Sequence, residues 1–205
     1  MNLFEDTYQT LSAPGQGEFR DRGSKFLGFA FPVLTEAEVK AHVQALKKAH
    51  PGANHCCYAF RIGPDKQFFR ANDDGEPSGT AGRPILGQIQ SKDLTNVLVA
   101  VVRYFGGTLL GVSGLIQAYR QAALTAIENG TIVEQTVDEL YLLQFPYEAM
   151  NEVMRIGKDH KLPFTNTDYG ENCQATVAIR KNEAERVVTL FRKVKGLKAT
   201  FVQEG

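Results

Sequence analysis

The sequence lacks an excess of charge of either sign, and it lacks an apolar run long enough to span a membrane. Its 23 basic and 23 acidic residues cancel, and residues 1–135 hold 13 of each while residues 136–205 hold 10 of each. This balance disfavours a generic polyanion-binding protein, so nucleic-acid binding would depend on a local patch. The N-terminus lacks the basic and apolar regions of a signal peptide. We therefore expect a cytoplasmic protein that contacts neither membrane nor DNA.

Cysteine is also scarce. Cys56, Cys57 and Cys173 match neither a disulfide framework nor the spacing of zinc ligands. His55 and Cys57 share one face of a predicted strand, but the sequence offers no acid to orient the histidine. We therefore expect no catalytic residue, no metal site and no cofactor.

The most informative segment is a buried strand that breaks into a glycine-rich turn and then a helix. Residues 96–105 are rich in β-branched and aromatic side chains, which is typical of a strand buried on both faces. Four glycines follow within nine residues: Gly106, Gly107, Gly111 and Gly114. Such a turn either reverses the chain sharply or lets another molecule approach the backbone.

Ser113 is the predicted N-cap of the helix after this turn. The free amides of the helix would then point toward the glycines and attract phosphate or carboxylate groups. The turn reads G-x-x-x-x-G-V-S, but Val112 replaces the lysine of a nucleotide-binding P-loop, which disfavours a Walker-type ATPase. Two interpretations stay open, namely an anion site and a tight connection without a ligand.

A second candidate is the polar connection NDDGEPSGTAGR at residues 72–83. Its carboxylates, Asp73, Asp74 and Glu76, do not fit the register of a calcium-binding EF-hand. They could act as acid and base or hold magnesium through waters, or they could belong to a solvated turn. We interpret the segment as a structured surface loop that contributes to binding.

The order of elements predicts two α+β domains with a boundary near Thr136. Residues 136–205 read βαββαβ, the order of a ferredoxin-like domain, with Asn182 as the predicted cap of the second helix. Residues 1–135 predict a sheet with helices on one side. Its first helix, at residues 36–49, starts at a capping box of Thr35 and Glu38.

Four motifs of the chain resemble the IMPACT family, including its YigZ-like bacterial members. They read FRDRGSKFLGFAFPV, HCCYAFRIG, NDDGEPSGTAGRPIL and VVRYFGGTLLGVSGLIQAYRQAA, and they span most of the first domain. The resemblance implies a ribosomal S5 domain 2-like sandwich followed by a ferredoxin-like domain, similar to domains IV and V of elongation factor G. It also implies a link to translation regulation, because eukaryotic members regulate translation under amino-acid stress.

The leading hypothesis is a non-enzymatic binding protein whose partner is RNA, the ribosome or a translation-associated protein. In this hypothesis Arg103 faces solvent or a groove and binds phosphate, while Tyr104 points to the opposite face. Lys25, Arg70 and Arg83 would supply a basic rim. The complete set of expected binding residues is Lys25, Arg70, Asp73, Asp74, Glu76, Ser78, Thr80, Arg83, Arg103, Tyr104, Gly106, Gly107, Gly111 and Ser113.

The rival hypothesis is an enzyme that acts on a small phosphorylated molecule or nucleotide. Residues 106–113 would cradle the phosphate, and the carboxylates of the polar connection would bind metal or transfer protons. The missing P-loop lysine and the absence of metal-ligand spacing disfavour it.

Overall fold

The structure is a computed structural model that describes residues 6–170 and 172–204. The chain divides into two compact units. One unit comprises residues 8–135, and the other comprises the residues from Thr136 onward together with Asp6 and Thr7.

The first unit contains seven strands and three helices. They are β1 (Thr7–Ala13), β2 (Gly15–Asp21), β3 (Ser24–Pro32), α1 (Glu36–Ala49), β4 (His55–Ile62), β5 (Phe68–Asn72), α2 (Gly82–Ser91), β6 (Val97–Tyr104), α3 (Gly111–Glu128) and β7 (Thr131–Thr136). Five strands form an antiparallel sheet in the order β2-β3-β6-β4-β5. β1 and β7 form a separate two-stranded sheet, which the sequence did not predict.

The central strand β6 is buried on both faces, as its continuous apolar sequence predicts. On one face Val97, Val99 and Val101 pack in the core that α2 and α3 cover. On the other face Leu98 and its alternate neighbours pack under α1. The prediction of helices on one side only is therefore wrong, because a strand with two apolar faces needs a covering layer on each.

Helix α1 begins where the capping box predicts. The Thr35 hydroxyl accepts a hydrogen bond from the backbone N–H of Glu38 at 3.2 Å, and Val39, Val43 and Leu46 form the buried stripe. The prediction of this helix is confirmed at both of its ends.

Glycines on β2 and β3 let α3 lie close to the sheet. A Cβ atom on Gly28 would lie 2.2 Å from the carbonyl oxygen of Ala122, and one on Gly15 would lie 2.1 Å from that of Ala126. No side chain fits at either position, so these glycines fix how closely the helix packs.

The second unit has the ferredoxin-like order βαββαβ. Its elements are β8 (Asp138–Pro146), a 3-10 turn (Tyr147–Ala149), α4 (Met150–Asp159), β9 (Phe164–Tyr169), β10 (Asn172–Arg180), α5 (Lys181–Arg192) and β11 (Lys198–Glu204). The strands form a sheet in the order β11-β8-β10-β9. Val153 of α4 and Phe191 of α5 pack on one face of it, in a core with Leu143 and Val177. The fold class predicted for this unit is confirmed.

One detail of the second unit differs from the prediction. Helix α5 begins at Lys181, after Arg180, and no side chain caps it. Asn182 therefore lies inside the helix and is not its N-cap. Within the two described segments, 6–170 and 172–204, no helix is both long enough and apolar enough to cross a membrane.

Candidate functional site

A buried carboxylate, Glu76, organises the interior beneath the glycine-rich turn. Its Oε1 accepts a hydrogen bond from Nη1 of Arg103 at 2.6 Å and another from the Tyr119 hydroxyl at 2.7 Å. Nε2 of His55 lies 3.8 Å from the same oxygen. Strands β4 and β6 place His55 opposite Arg103, and α3 brings Tyr119 down onto them. One oxygen therefore joins the polar connection to two strands and a helix.

Cys57 extends this network, and its surroundings keep it protonated. Its Sγ lies 3.3 Å from the Tyr119 hydroxyl and 2.9 Å from the carbonyl oxygen of Asp73. Burial raises the pKa of the Cys57 thiol well above its ordinary value, although the hydrogen bond with Tyr119 opposes the rise. Burial, followed by the neighbouring Cys57 and Glu76, also raises the pKa of Tyr119. These groups therefore hold the structure together as neutral donors and acceptors.

Asp73 caps helix α2. Its Oδ1 accepts hydrogen bonds from the backbone N–H groups of Ala81 at 3.1 Å and Gly82 at 2.7 Å, and its Oδ2 accepts one from Gly79 at 2.8 Å. Burial by itself would raise the pKa of Asp73, but these amides together with Arg83 outweigh it and lower the pKa. The carboxylate is thus a structural anion at a helix start.

Asp74 ties the same loop to the opposite side of the sheet. Its Oδ1 lies 2.7 Å from Nζ of Lys47 on α1, and its Oδ2 accepts a hydrogen bond from the backbone N–H of Cys56 at 2.7 Å. The buried hydroxyl of Thr80 donates to the carbonyl oxygen of Pro77 at 2.6 Å, whereas Ser78 is exposed. The loop is structured, as expected.

The carboxylates of this loop serve the fold and do not converge on a common point in solvent. Among the described residues, no three histidine, cysteine or acidic side chains are grouped as metal ligands would be. Internal hydrogen bonds and ion pairs engage Asp73, Asp74 and Glu76. This geometry does not favour the acid-base and magnesium interpretations.

Of the two placements predicted for Arg103, solvent or a groove, the structure does not show the first, because the side chain is buried and reaches only the wall of a cleft. Only 7% of its side chain is exposed. Its guanidinium carbon lies 5.4 Å from the ring centre of Phe26 and 5.6 Å from that of Phe105. Strand alternation explains the burial, because Arg103 continues the face of Val99 and Val101 that α3 covers. Its Nε is buried without a hydrogen-bond partner.

The other basic residues do not form the expected rim. Lys25 pairs with Tyr104 in the sheet register, and Arg70 lies on the edge strand β5, three strands away and level with Leu98. That placement separates them by roughly 20 Å along the sheet and about 14 Å across it. Each also has an acidic partner, Glu18 for Lys25 and Glu36 for Arg70. Arg83 lies elsewhere, in the first turn of α2.

Tyr104 points away from Arg103, as strand alternation predicts. It is half-buried with the α1 core, and its hydroxyl lies 2.8 Å from Nδ1 of His50. Tyr104 and Arg103 therefore cannot act on one ligand from the same face of the sheet.

The glycine-rich turn itself is open to solvent. Gly107 and Gly111 have φ angles of +85° and +72°, and no other atom lies within 4 Å of a Cβ built on either. Gly106 differs, because a Cβ there would lie 1.9 Å from the carbonyl carbon of Gly23. Helix α3 begins at Gly111 without a side-chain cap, so the prediction that Ser113 caps it is wrong. Ser113 is instead an exposed residue of the first turn.

A cleft of about 400 Å³ lies between this turn and the polar connection. Its floor includes Glu76 and Arg103, and its rim carries three exposed apolar side chains. Leu109 is 82% exposed, Val112 is 60% exposed and Phe105 is 46% exposed. The sequence interpretation gave no binding role to Leu109 and Val112, although apolar side chains within a glycine-rich turn are a signal that could have indicated them.

The family model of the Impact N-terminal domain matches residues 22–127, a range that contains every residue lining this cleft. The chain belongs to the IMPACT family. It is 36% identical over 143 residues to the IMPACT family member YigZ of Escherichia coli (strain K12), covering 69% of this chain and 68% of the relative. The YigZ-like resemblance of the motifs is confirmed.

Two solved structures extend the comparison. The crystal structure of a hypothetical protein superimposes with a TM-score of 0.75 at 28% identity, covering 97% of this chain and 98% of the other. The two-domain translational regulator Yih1 is 31% identical, covering 63% of this chain and 49% of that chain, with a TM-score of 0.36. The first of these agrees with the α+β fold in both units.

Proposed function

We propose that this protein takes part in translation regulation by binding a translation-associated protein through the apolar rim of the cleft. Membership of the IMPACT family supports the link to translation, because the related Yih1 is a translational regulator. The observation that carries the choice of surface is the exposure of Phe105, Leu109 and Val112 at one edge.

The rim has the properties of a protein-binding surface. Large apolar side chains that cluster in contact with water are typical of interaction sites, whereas scattered ones are not. The open turn at Gly107 and Gly111 leaves Leu109 and Val112 free of neighbours that would cover them. A partner that buried all three side chains would gain about 25 cal/mol per Å² of apolar surface removed from water.

Electrostatics favour a protein partner over RNA at this surface. The net charge is zero, Arg103 is buried against Glu76, and Lys25 and Arg70 lie far apart beside acidic partners. RNA binding draws most of its affinity from clustered cations at the phosphate backbone. The cleft edge offers apolar contact instead.

Binding, and not catalysis, is the proposed activity of this site. The carboxylates near the cleft are engaged in capping and ion pairs, and burial raises the pKa of Cys57. A nucleophile or general base needs a group that titrates near the working pH and reaches the substrate.

Sucrose-gradient sedimentation of the tagged protein in a translating lysate tests the proposal. We expect the protein to co-sediment with ribosomal particles or translation factors, and Leu109→Asp to reduce that fraction at least tenfold. Leu34→Asp is the matched control, because Leu34 is 65% exposed and does not line the cleft. Retention after ribonuclease treatment identifies a protein contact, and loss identifies RNA. Equal behaviour of Leu109→Asp and wild type would contradict the proposal.

A further inference from the structure

We infer that the cleft takes the carboxyl terminus of a polypeptide whose last side chain is apolar. This inference rests on the proposed function and specifies the chemistry of the partner. It joins two features of the cleft, an end suited to a carboxylate and a rim suited to an apolar side chain.

The start of α3 provides the first feature. No side chain caps the helix, and no acidic residue lies in its first turn. Gly111, Val112 and Ser113 are exposed, and Gly111 and Val112 line the cleft. The first amides of an 18-residue helix have no partner within the helix and carry a partial positive charge. A carboxylate that enters the cleft can accept hydrogen bonds from them.

Arg103 provides an independent second feature. Its side chain is more than nine-tenths buried on the cleft wall, and its Nε donates to no atom of the described residues. A buried donor without an acceptor is unfavourable, and a ligand oxygen would satisfy it after a small shift of the side chain.

The acidic group on the cleft wall does not oppose an anion. Glu76 is the carboxylate among the described lining residues, and its Oε1 already accepts from Arg103 and Tyr119. The Glu76–Arg103 pair carries no net charge, so the free amides at the start of α3 set the charge preference of the cleft and favour an anionic ligand.

The apolar rim identifies the rest of the ligand. Phe105, Leu109, Val112 and Leu115 line the side of the cleft nearest the helix start, and a volume of about 400 Å³ accommodates one side chain with its carboxylate. Leu109 and Val112 extend beyond the cleft into solvent. A free carboxylic acid would leave that surface uncovered, whereas the residues preceding a polypeptide terminus would cover it.

Nuclear magnetic resonance titration of the ¹⁵N-labelled full chain tests this inference. The probes are acetyl-Gly-Gly-Leu with a free carboxylate, the same peptide as its carboxamide, 4-methylpentanoate and inorganic phosphate. We expect the free-acid peptide to shift the amide signals of Gly111, Val112 and Ser113 and the Nε–H signal of Arg103. The carboxamide should bind at least tenfold more weakly, and 4-methylpentanoate should bind more weakly than the peptide acid.

Two substitutions separate the carboxylate contact from the apolar contact. Ser113→Glu places a negative charge at the exposed first turn. It should therefore lower the affinity for the free-acid peptide at least fivefold while leaving the affinity for the carboxamide unchanged. Leu109→Asp should lower the affinity for both peptides, and Leu34→Asp should change neither affinity. Equal affinity for the acid and the carboxamide would overturn the inference, as would equal shifts with phosphate or absence of shifts at millimolar peptide.

The outcomes also distinguish this inference from the proposed function. If Leu109→Asp abolishes co-sedimentation while the acid and the carboxamide bind equally, the partner uses the rim without presenting a terminus. If the free-acid peptide binds selectively but co-sedimentation does not depend on Leu109, the carboxylate site stands and the rim is not the surface that binds the translation-associated partner.

Discussion

Oε1 of Glu76 and Nη1 of Arg103 lie 2.6 Å apart in the interior of the first unit, although the two residues are 27 positions apart in the chain. The pair joins the polar connection to the central strand and aligns Tyr119 and His55 around one oxygen. It lies on the wall of the cleft, so the fold and the proposed binding site depend on the same contact.

Glu76→Gln should destabilise the protein substantially. It leaves the buried Arg103 without a counter-charge, and breaking one side of a buried ion pair costs about 3–5 kcal/mol. Urea denaturation followed by circular dichroism measures the loss. Glu128→Gln is the control, because its pair with Lys92 is exposed and should change stability by less than about 1 kcal/mol. Similar effects of the two substitutions would show that the buried pair contributes little.

Asp73 should make stability depend on pH in the acid range. Its pKa in the folded protein lies below its ordinary value of 3.8, so its contribution is complete above that value and is lost as the pH falls through the folded pKa. Asp73→Asn should flatten this part of the stability curve, measured as melting temperature between pH 5 and 2.5. Asp73→Ala should also cost about 1–2 kcal/mol at neutral pH, because two amides at the start of α2 and that of Gly79 lose their acceptor.

An unchanged acid slope in Asp73→Asn would contradict the capping role. Asp65→Asn serves as the comparison, since that exposed carboxylate accepts from the single backbone N–H of Gln67.

Two glycines, one packed against α3 and one within α2, should change the stability in opposite directions when replaced by alanine. Gly28→Ala would place a Cβ 2.2 Å from the Ala122 carbonyl oxygen and should destabilise the protein by at least about 2 kcal/mol. Gly87 lies within α2 with no atom within 4 Å of a Cβ, so Gly87→Ala should stabilise it by about 0.5–1 kcal/mol. Thermal denaturation of both variants checks the signs, and a stabilising Gly28→Ala would contradict the close packing of α3.

The two adjacent cysteines should react with a disulfide reagent only when the protein unfolds. Burial raises the pKa of Cys56 to about 11 and raises that of Cys57 further. At pH 8 the thiolate fraction of Cys56 falls by about two orders of magnitude relative to a free cysteine. We expect labelling by 5,5′-dithiobis(2-nitrobenzoic acid) to be at least about 100-fold faster in urea. Fast labelling of a Cys56→Ser variant under native conditions would show that Cys57 is accessible.

Local sequence patterns predicted the regular elements well. The capping box at Thr35 and the stripe of Val39 and Val43 placed α1, because both signals are contained within the helix itself. Strand β6 was equally clear from its continuous apolar residues. By contrast, β1 and β7 do not alternate cleanly between buried and exposed residues, so they carried no signal.

The candidate site was harder to predict, because tertiary contacts decide which side chains are free. Sequence marked Arg103 and Glu76 as polar residues in distinctive motifs, but it could not show that they neutralise each other. Ser113 has the chemistry of a cap, yet Gly111 adopts a positive φ and the helix begins there, three residues earlier than a cap at Ser113 implies. The exposure of Leu109 depends on the open conformation of the turn, which the sequence pattern does not specify.

The loop that contains Asp74 and Glu76 has a consequence for motion within the first unit. These residues are two positions apart, but one holds Lys47 of α1 and the other holds Tyr119 of α3, on opposite sides of the sheet. Neither helical layer can separate from the sheet without straining the contacts of Asp74 with Lys47 and of Glu76 with Tyr119. Partial opening near the cleft should therefore propagate to the far layer, so both layers should exchange their amide hydrogens as one cooperative body.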